Sequence, residues 1–194
     1  MKELFIHPLA KALNLKLEKA DTLDGYLEQI LPRIEYSSDT LYESELYTNL
    51  RWLEITDGRA EMILRIFSLD KMIDKSVASL DPFKYTHSVN GNVTYGTWTL
   101  LKGKALVLEH DISRELFDLV FLNEEFMVLQ KHGHKPNNNV SRYIFLTREE
   151  LADGLSWRQN AEELYNVYRH NLASIVLVVL LGFIVLLVAV LTFL

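Results

Sequence analysis

His132 and His134 flank a single glycine, and at a strand end that spacing puts two imidazoles on one side of the chain. With His110 and Asp111 in another loop, the residue types suit half of a transition-metal site. No third ligand stands at a fixed spacing, and Gly133 and Pro136 mark a loop, so the reading taken is an exposed loop and no metal. His87 lies in an alternating run between Tyr85 and Val89, where a histidine serves as wall or core, or as a ligand contact. Arg51 alternates with Leu53 and Ile55, opposite Trp52 and Glu54. In one register Arg51 points inward and must meet a carboxylate or an anionic ligand. In the other it is solvated and Trp52 is core. Glu124-Glu125 and Glu162-Glu163 are carboxylate pairs that nothing sets up as acid and base. The chain has no nucleophile elbow, phosphate loop, zinc-binding HExxH helix or cysteine. No catalytic residue and no cofactor is assigned, and an enzyme is not expected. The candidates for ligand contact are Arg51, Tyr85, His87 and Trp98.

Those side chains need a scaffold, and from about Leu50 the pattern supplies one. Apolar residues recur with period two in short runs separated by turn residues. The runs are 50–56, 60–68, 83–89, 92–101, 105–110, 115–122, 126–131 and 142–146. Asn90-Gly91 is the strongest turn signal, because both residues tolerate the positive φ of a type I′ hairpin. Eight runs joined mostly by short turns make an antiparallel meander, and a meander hides its edges best by closing into a barrel. Trp98 with Leu100, Leu106 with Leu108, and Phe117 with Leu119 and Phe121 are the expected inward faces. The fold class is therefore mainly β: an eight-stranded antiparallel meander or barrel. N-terminal helices flank it, and a C-terminal helix leads into one transmembrane helix.

The flanks divide the chain into residues 1–46, a helical segment; 47–147, the barrel; 148–171, a juxtamembrane helix; and 172–194, an anchor. In the first, Asp21 or Thr22 can cap a helix over 23–31 that Pro32 stops. In the third, Thr147 and Glu150 form a capping box, Asp153-Gly154 interrupts the turns, and Ser156 caps a helix that starts at Trp157. Trp157, Tyr165 and Tyr168 suit an aromatic belt at a bilayer surface.

Residues 172–194 carry no charged side chain. At about 1.5 Å per residue such a helix spans roughly 34 Å, enough for a hydrocarbon core of about 30 Å. No signal-like run precedes it, and Arg158 and Arg169 lie on its N-terminal side. The expectation is a single-pass, tail-anchored protein with residues 1 to about 170 in the cytosol, a reducing compartment that suits the absence of cysteine. Ser174, Gly182 and Ala189 share one face of the helix, a stripe of small residues for homo-oligomerisation. The net charge of −6 lies entirely outside the anchor. An acidic domain of this kind is repelled by anionic lipid and is a poor binder of nucleic acid. The expected partners are the lipid bilayer, further copies of the chain, and a small-molecule ligand or a protein.

The run Asn90-Gly-Asn-Val-Thr-Tyr-Gly-Thr-Trp-Thr-Leu-Leu-Lys-Gly-Lys-Ala-Leu-Val-Leu-Glu109 is similar to the small bacterial lipocalin-like barrels. There a Gly-x-Trp strand, here Gly96-Thr97-Trp98, meets a strand of alternating leucines followed by two apolar strands. The resemblance covers about residues 50–146. The chain departs from that pattern in its helical N-terminal region, in its anchor, and in placing Gly96-Thr97-Trp98 mid-barrel. The resemblance implies a barrel that encloses one small ligand, without naming it. In architecture alone the chain also resembles membrane-tethered β-barrel sensors of bacterial antiphage systems, which hold a cyclic nucleotide. Two functions follow as expectations. The first is a sensor whose barrel reads a ligand or signal and acts through membrane-helix oligomerisation. The second is a tethered adaptor whose barrel is solid and recruits a protein.

Overall fold

The computed structural model describes residues 20–58, 61–71, 82–101, 104–110, 113–133, 141–168 and 179–183. Its strands are β1 (Trp52–Ile55), β2 (Ile63–Lys71), β3 (Phe83–Val89), β4 (Asn92–Leu101), β5 (Ala105–His110), β6 (Ser113–Leu122), β7 (Phe126–Lys131) and β8 (Tyr143–Arg148). Each pairs antiparallel with its neighbours in sequence, and β1 pairs with β8 to close a barrel. At the β3–β4 turn Asn90 has φ 50° and Gly91 φ 85°, the left-handed pair that a two-residue hairpin requires.

Alternation sends one set of side chains inward. Trp52, Phe67, Tyr85, Trp98, Phe117 and Met127 are each no more than 2 % exposed. Trp98 stacks on Phe83 with centroids 4.8 Å apart, and its indole Nε1 donates to the Ser68 carbonyl at 2.9 Å. Residues 38–49 close the barrel end that carries the β6–β7 turn. Asp39 N donates to the Leu122 carbonyl at 2.9 Å, and Asn49 N donates to the Phe67 carbonyl at 2.7 Å. Leu41 and Tyr47 join the interior cluster, and the Tyr47 hydroxyl donates to the Leu41 carbonyl at 2.9 Å.

A second apolar cluster lies outside the barrel wall. Helix α1 (Leu23–Ile34) contributes Leu27, Ile30 and Ile34. The short α2 (Glu149–Ala152) follows β8, and α3, residues 157–168, contributes Ala161, Leu164 and Tyr168. These cover Phe121, Phe126, Val128 and Phe145, so this stretch of wall is apolar on both faces. Each such fully buried side chain contributes about 1.5–3 kcal/mol of transfer free energy.

Several expectations are corrected here. Phe121 faces the helices, not the interior, because the β6–β7 register shifts between Leu119 and Phe121 and Leu122 takes the inward place. Helix α1 runs through Pro32 to Ile34. Pro32 forfeits the one amide bond it would make to the Glu28 carbonyl, and the burial of Leu31 and Ile34 outweighs that loss. Thr147 does not cap a helix; it belongs to β8, and the first amide of α2, Glu149 N, donates to the Arg51 carbonyl at 3.0 Å. The capping box is Ser156 with Gln159: Ser156 N donates to Gln159 Oε1 at 2.8 Å, and Gln159 N donates back to Ser156 Oγ at 3.4 Å. Tyr165 and Tyr168 are buried against the barrel and form no exposed belt.

Residues 1–19 of the expected helical segment 1–46 lie outside the described residues. Of the anchor, residues 179–183 are described; they are helical and exposed, while Ser174 and Ala189 lie outside. Among the described residues no helix is long and apolar enough to cross a membrane.

Candidate functional site

Opposite the plugged end, where the β1–β2, β3–β4, β5–β6 and β7–β8 loops gather, the barrel interior turns polar. Arg65 Nε donates to Glu54 Oε2 at 2.7 Å, and Arg65 Nη1 donates to the Tyr85 hydroxyl. Burial works against the Arg65 charge, but Tyr85 and Glu54 more than offset it and hold the guanidinium above its ordinary pKa. Burial likewise pushes the Tyr85 phenol up, with Arg65 opposing. His87 stacks on Tyr85 with ring centroids 6.3 Å apart, and the His87 and His110 rings lie 5.1 Å apart. On the far side of the mouth Lys131 Nζ donates to Glu115 Oε1 at 2.9 Å. Among the described residues, these two cations are thus each matched by a carboxylate.

The structure brings together Tyr85 and His87 of the expected ligand contacts. Trp98 lies deeper, among Phe67, Phe83 and Tyr47, as core. Arg51 is on the outer surface, 62 % exposed, with Nε 2.7 Å from Glu149 Oε2. The register is therefore the one in which Trp52 is core. The inward arginine is Arg65. Its signal was the alternation Ile63, Arg65, Phe67, since the period that buries Ile63 and Phe67 buries Arg65 as well. His132 is on the outer face with Nδ1 2.8 Å from Asp118 Oδ2. His134 and Asp111 lie outside the described residues, among which no group of three or more His, Asp or Glu side chains is arranged to hold a metal.

A second feature was not legible in the sequence. A groove of about 320 Å³ runs between α3, α2 and the ends of β7 and β8. Phe126, Thr147 and Asn160, each no more than 2 % exposed, form its floor. Leu151 and Leu155 stand exposed on one wall, and Glu125 and Glu163 supply its carboxylates. Asn160 Nδ2 donates to the Ser156 carbonyl at 3.1 Å, but Asn160 Oδ1 and Thr147 Oγ1 are buried with no hydrogen-bond partner. Two unpaired buried acceptors cost about 1–3 kcal/mol each, a cost that a donor entering the groove would remove.

The chain matches no protein-family model, no curated protein and no solved structure. The fold it shows is a closed eight-stranded antiparallel barrel, the architecture that lipocalin-like barrels have, with a polar mouth and an external groove.

Proposed function

We propose that this chain is a membrane-tethered docking protein, a filled barrel that recruits a protein segment at its α3 groove. The observation that carries this reading is the interior: Trp52, Phe67, Tyr85, Phe117 and Met127 have no exposed surface. A cavity able to hold a ligand would leave its walls open to a water-sized probe. Eight strands give an interior that side chains can just fill, and the burial of these side chains supports that reading here. The polar mouth favours a sensing role, yet its inward charges Arg65, Glu54, Lys131 and Glu115 are paired with one another.

The tether rests on the uncharged sequence 172–194. Its described residues expose Val179 at 65 % and Phe183 at 69 %, surface that lipid would cover. Asn123 Nδ2 donates to the Tyr168 hydroxyl at 3.0 Å, so α3 reaches its last described turn beside the plugged end of the barrel. In this reading the plugged end faces the bilayer and the polar mouth faces away. The test is to wash membranes bearing the full chain with alkaline carbonate, extract in mild detergent and measure particle mass. A chain that stays with the membrane and emerges heavier than one copy supports the proposal. Release by carbonate, or a particle of one copy alone, overturns it.

A further inference from the structure

We infer that the α3 groove takes the cationic side chain of a partner protein, a lysine or arginine flanked by large apolar residues; the inference rests on the reading of that groove as the docking surface. Asn160, Glu163 and Val167 recur along α3 at helical spacing, so they share the face that lines the groove. Thr147 leaves β8 on the same side as Tyr143 and Phe145, the outer side of the barrel wall. Glu125 enters from the β6–β7 turn, and Leu151 and Leu155 stand 42 % and 37 % exposed on the remaining wall. The floor offers oxygen. Asn160 Nδ2 is taken: it donates to the Ser156 carbonyl at 3.1 Å and to the Leu155 carbonyl at 3.4 Å, which fixes the amide and leaves Oδ1 as its unpaired end. Thr147 Oγ1 is the second unpaired atom, and both side chains belong to residues only 1 % exposed. The carboxylates of Glu125 and Glu163 form no ion pair among the described residues.

Acceptors of which two are charged select a positive donor, and the rest of the lining decides which one. An anion is repelled by both carboxylates. A hard metal ion gathers many oxygens and keeps its waters, whereas Phe126, Leu151, Leu155 and Val167 make this lining largely apolar. A lipid ammonium brings its phosphate close to the same two carboxylates. A lysine or arginine carries its cation on a bare hydrocarbon stem, which packs on Phe126 and Val167 while its N–H groups reach the oxygens. Its apolar neighbours then lie over Leu151 and Leu155. Thr147 and Asn160 are kept at a cost to the free chain that the partner's donors remove. Thr147→Val deletes an unpaired buried hydroxyl and preserves the shape, so that variant folds more stably and docks less well.

The experiment uses the full chain in mild detergent, with photoreactive benzoyl-phenylalanine in place of Leu151. The probe is a short labelled peptide of alternating leucine and arginine. The same peptide with citrulline for arginine keeps the N–H groups and the shape but not the charge, and detergent alone gives the background. The expected product links position 151 to the arginine peptide, with the citrulline peptide bound about tenfold more weakly. Glu125→Gln with Glu163→Gln should weaken the arginine peptide by a similar factor and leave the citrulline peptide unchanged. Thr147→Val should weaken both peptides about fivefold, while the urea midpoint of that chain rises. No link, indifference of the arginine peptide to Glu125→Gln with Glu163→Gln, or a Thr147→Val chain that binds as well as the parent or is no more stable overturns the inference. Displacement of the peptide by phosphatidylethanolamine, or a link between two copies of the chain, also overturns it. A citrulline peptide that links as well as the arginine peptide overturns it too, but leaves the docking reading standing. That reading falls separately, by a one-copy particle or a retained small molecule.

Discussion

Glu54 and Arg65 face each other inside the barrel, Oε2 to Nε 2.7 Å, with side chains only 13 % and 9 % exposed. Removing one partner strands the other charge in a poorly solvated place, whereas removing both leaves no charge behind. Glu54→Leu alone or Arg65→Met alone should therefore destabilise by about 3–5 kcal/mol. The double variant should recover most of that loss. Urea midpoints of the three variants are the measurement, and equal losses in single and double variants would show that the pair contributes more than it costs.

Gly96 on β4 approaches β5 so closely that a Cβ would sit 2.0 Å from the Glu109 carbonyl oxygen. Backbone on backbone cannot yield by a rotamer change. Gly96→Ala should cost at least about 2 kcal/mol and broaden amide resonances of both strands. A neutral Gly96→Ala in thermal melts would mean that β4 and β5 lie further apart.

Trp98 packs against Phe83, Phe67 and Tyr47 at the plugged end, 2 % exposed. Trp98→Ala should cost about 3–5 kcal/mol. If the barrel is filled as proposed, the same variant opens a cavity, so a hydrophobic dye or a small aromatic should bind the variant and not the parent. Dye binding to both would argue for a pre-existing void.

Burial holds the phenols of Tyr47, Tyr26 and Tyr168 up at about 12, against 10 in an unfolded chain, with Glu162 adding to the effect at Tyr26 and Asn123 opposing it at Tyr168. As pH rises past 10 the unfolded chain loses these protons first, so the unfolded state gains. The stability these tyrosines contribute is complete below pH 10 and is lost between pH 10 and 12. Tyrosinate absorbance and loss of barrel circular dichroism should rise together in that window. Ionisation of all the tyrosines near pH 10 with the barrel intact would contradict the burial described.

Gly182 has nothing within 4 Å of where a Cβ would lie, so among the described residues its face is uncovered. If residues 172–194 cross the membrane as proposed and self-associate at this face, Gly182→Ile blocks close approach while keeping the segment apolar. Chemical crosslinking in native membranes should give shorter ladders for Gly182→Ile than for the parent, with equal membrane retention. Identical ladders would reduce the helix to a tether.

Much of the barrel was legible because each strand carries its own evidence. The runs 83–89, 92–101, 105–110 and 126–131 are bounded as expected, since local alternation and Asn90-Gly91 decide them without help from distant residues. What was not legible depends on contacts far apart in sequence. The bulge beyond Leu119 turns Phe121 outward, and nothing in the run of alternating apolar residues marks it. The choice between Arg51 and Trp52 as the inward residue needed Arg65 and Arg148, which face Trp52 from both neighbouring strands. Tyr165 and Tyr168 looked interfacial because amphipathic side chains suit both a bilayer surface and a helix–barrel seam. The groove could not be read at all: Glu125, Thr147, Leu155 and Glu163 come from four segments that only the closed barrel brings together.

The filled interior is the claim on which the docking reading stands, and native mass spectrometry of the full chain released from mild detergent tests it most directly. The account predicts masses that are whole multiples of the polypeptide or its complexes with other proteins, with no small molecule retained. A stoichiometric small-molecule adduct that is lost in Trp98→Ala or Arg65→Met would contradict it and restore the barrel as a ligand sensor.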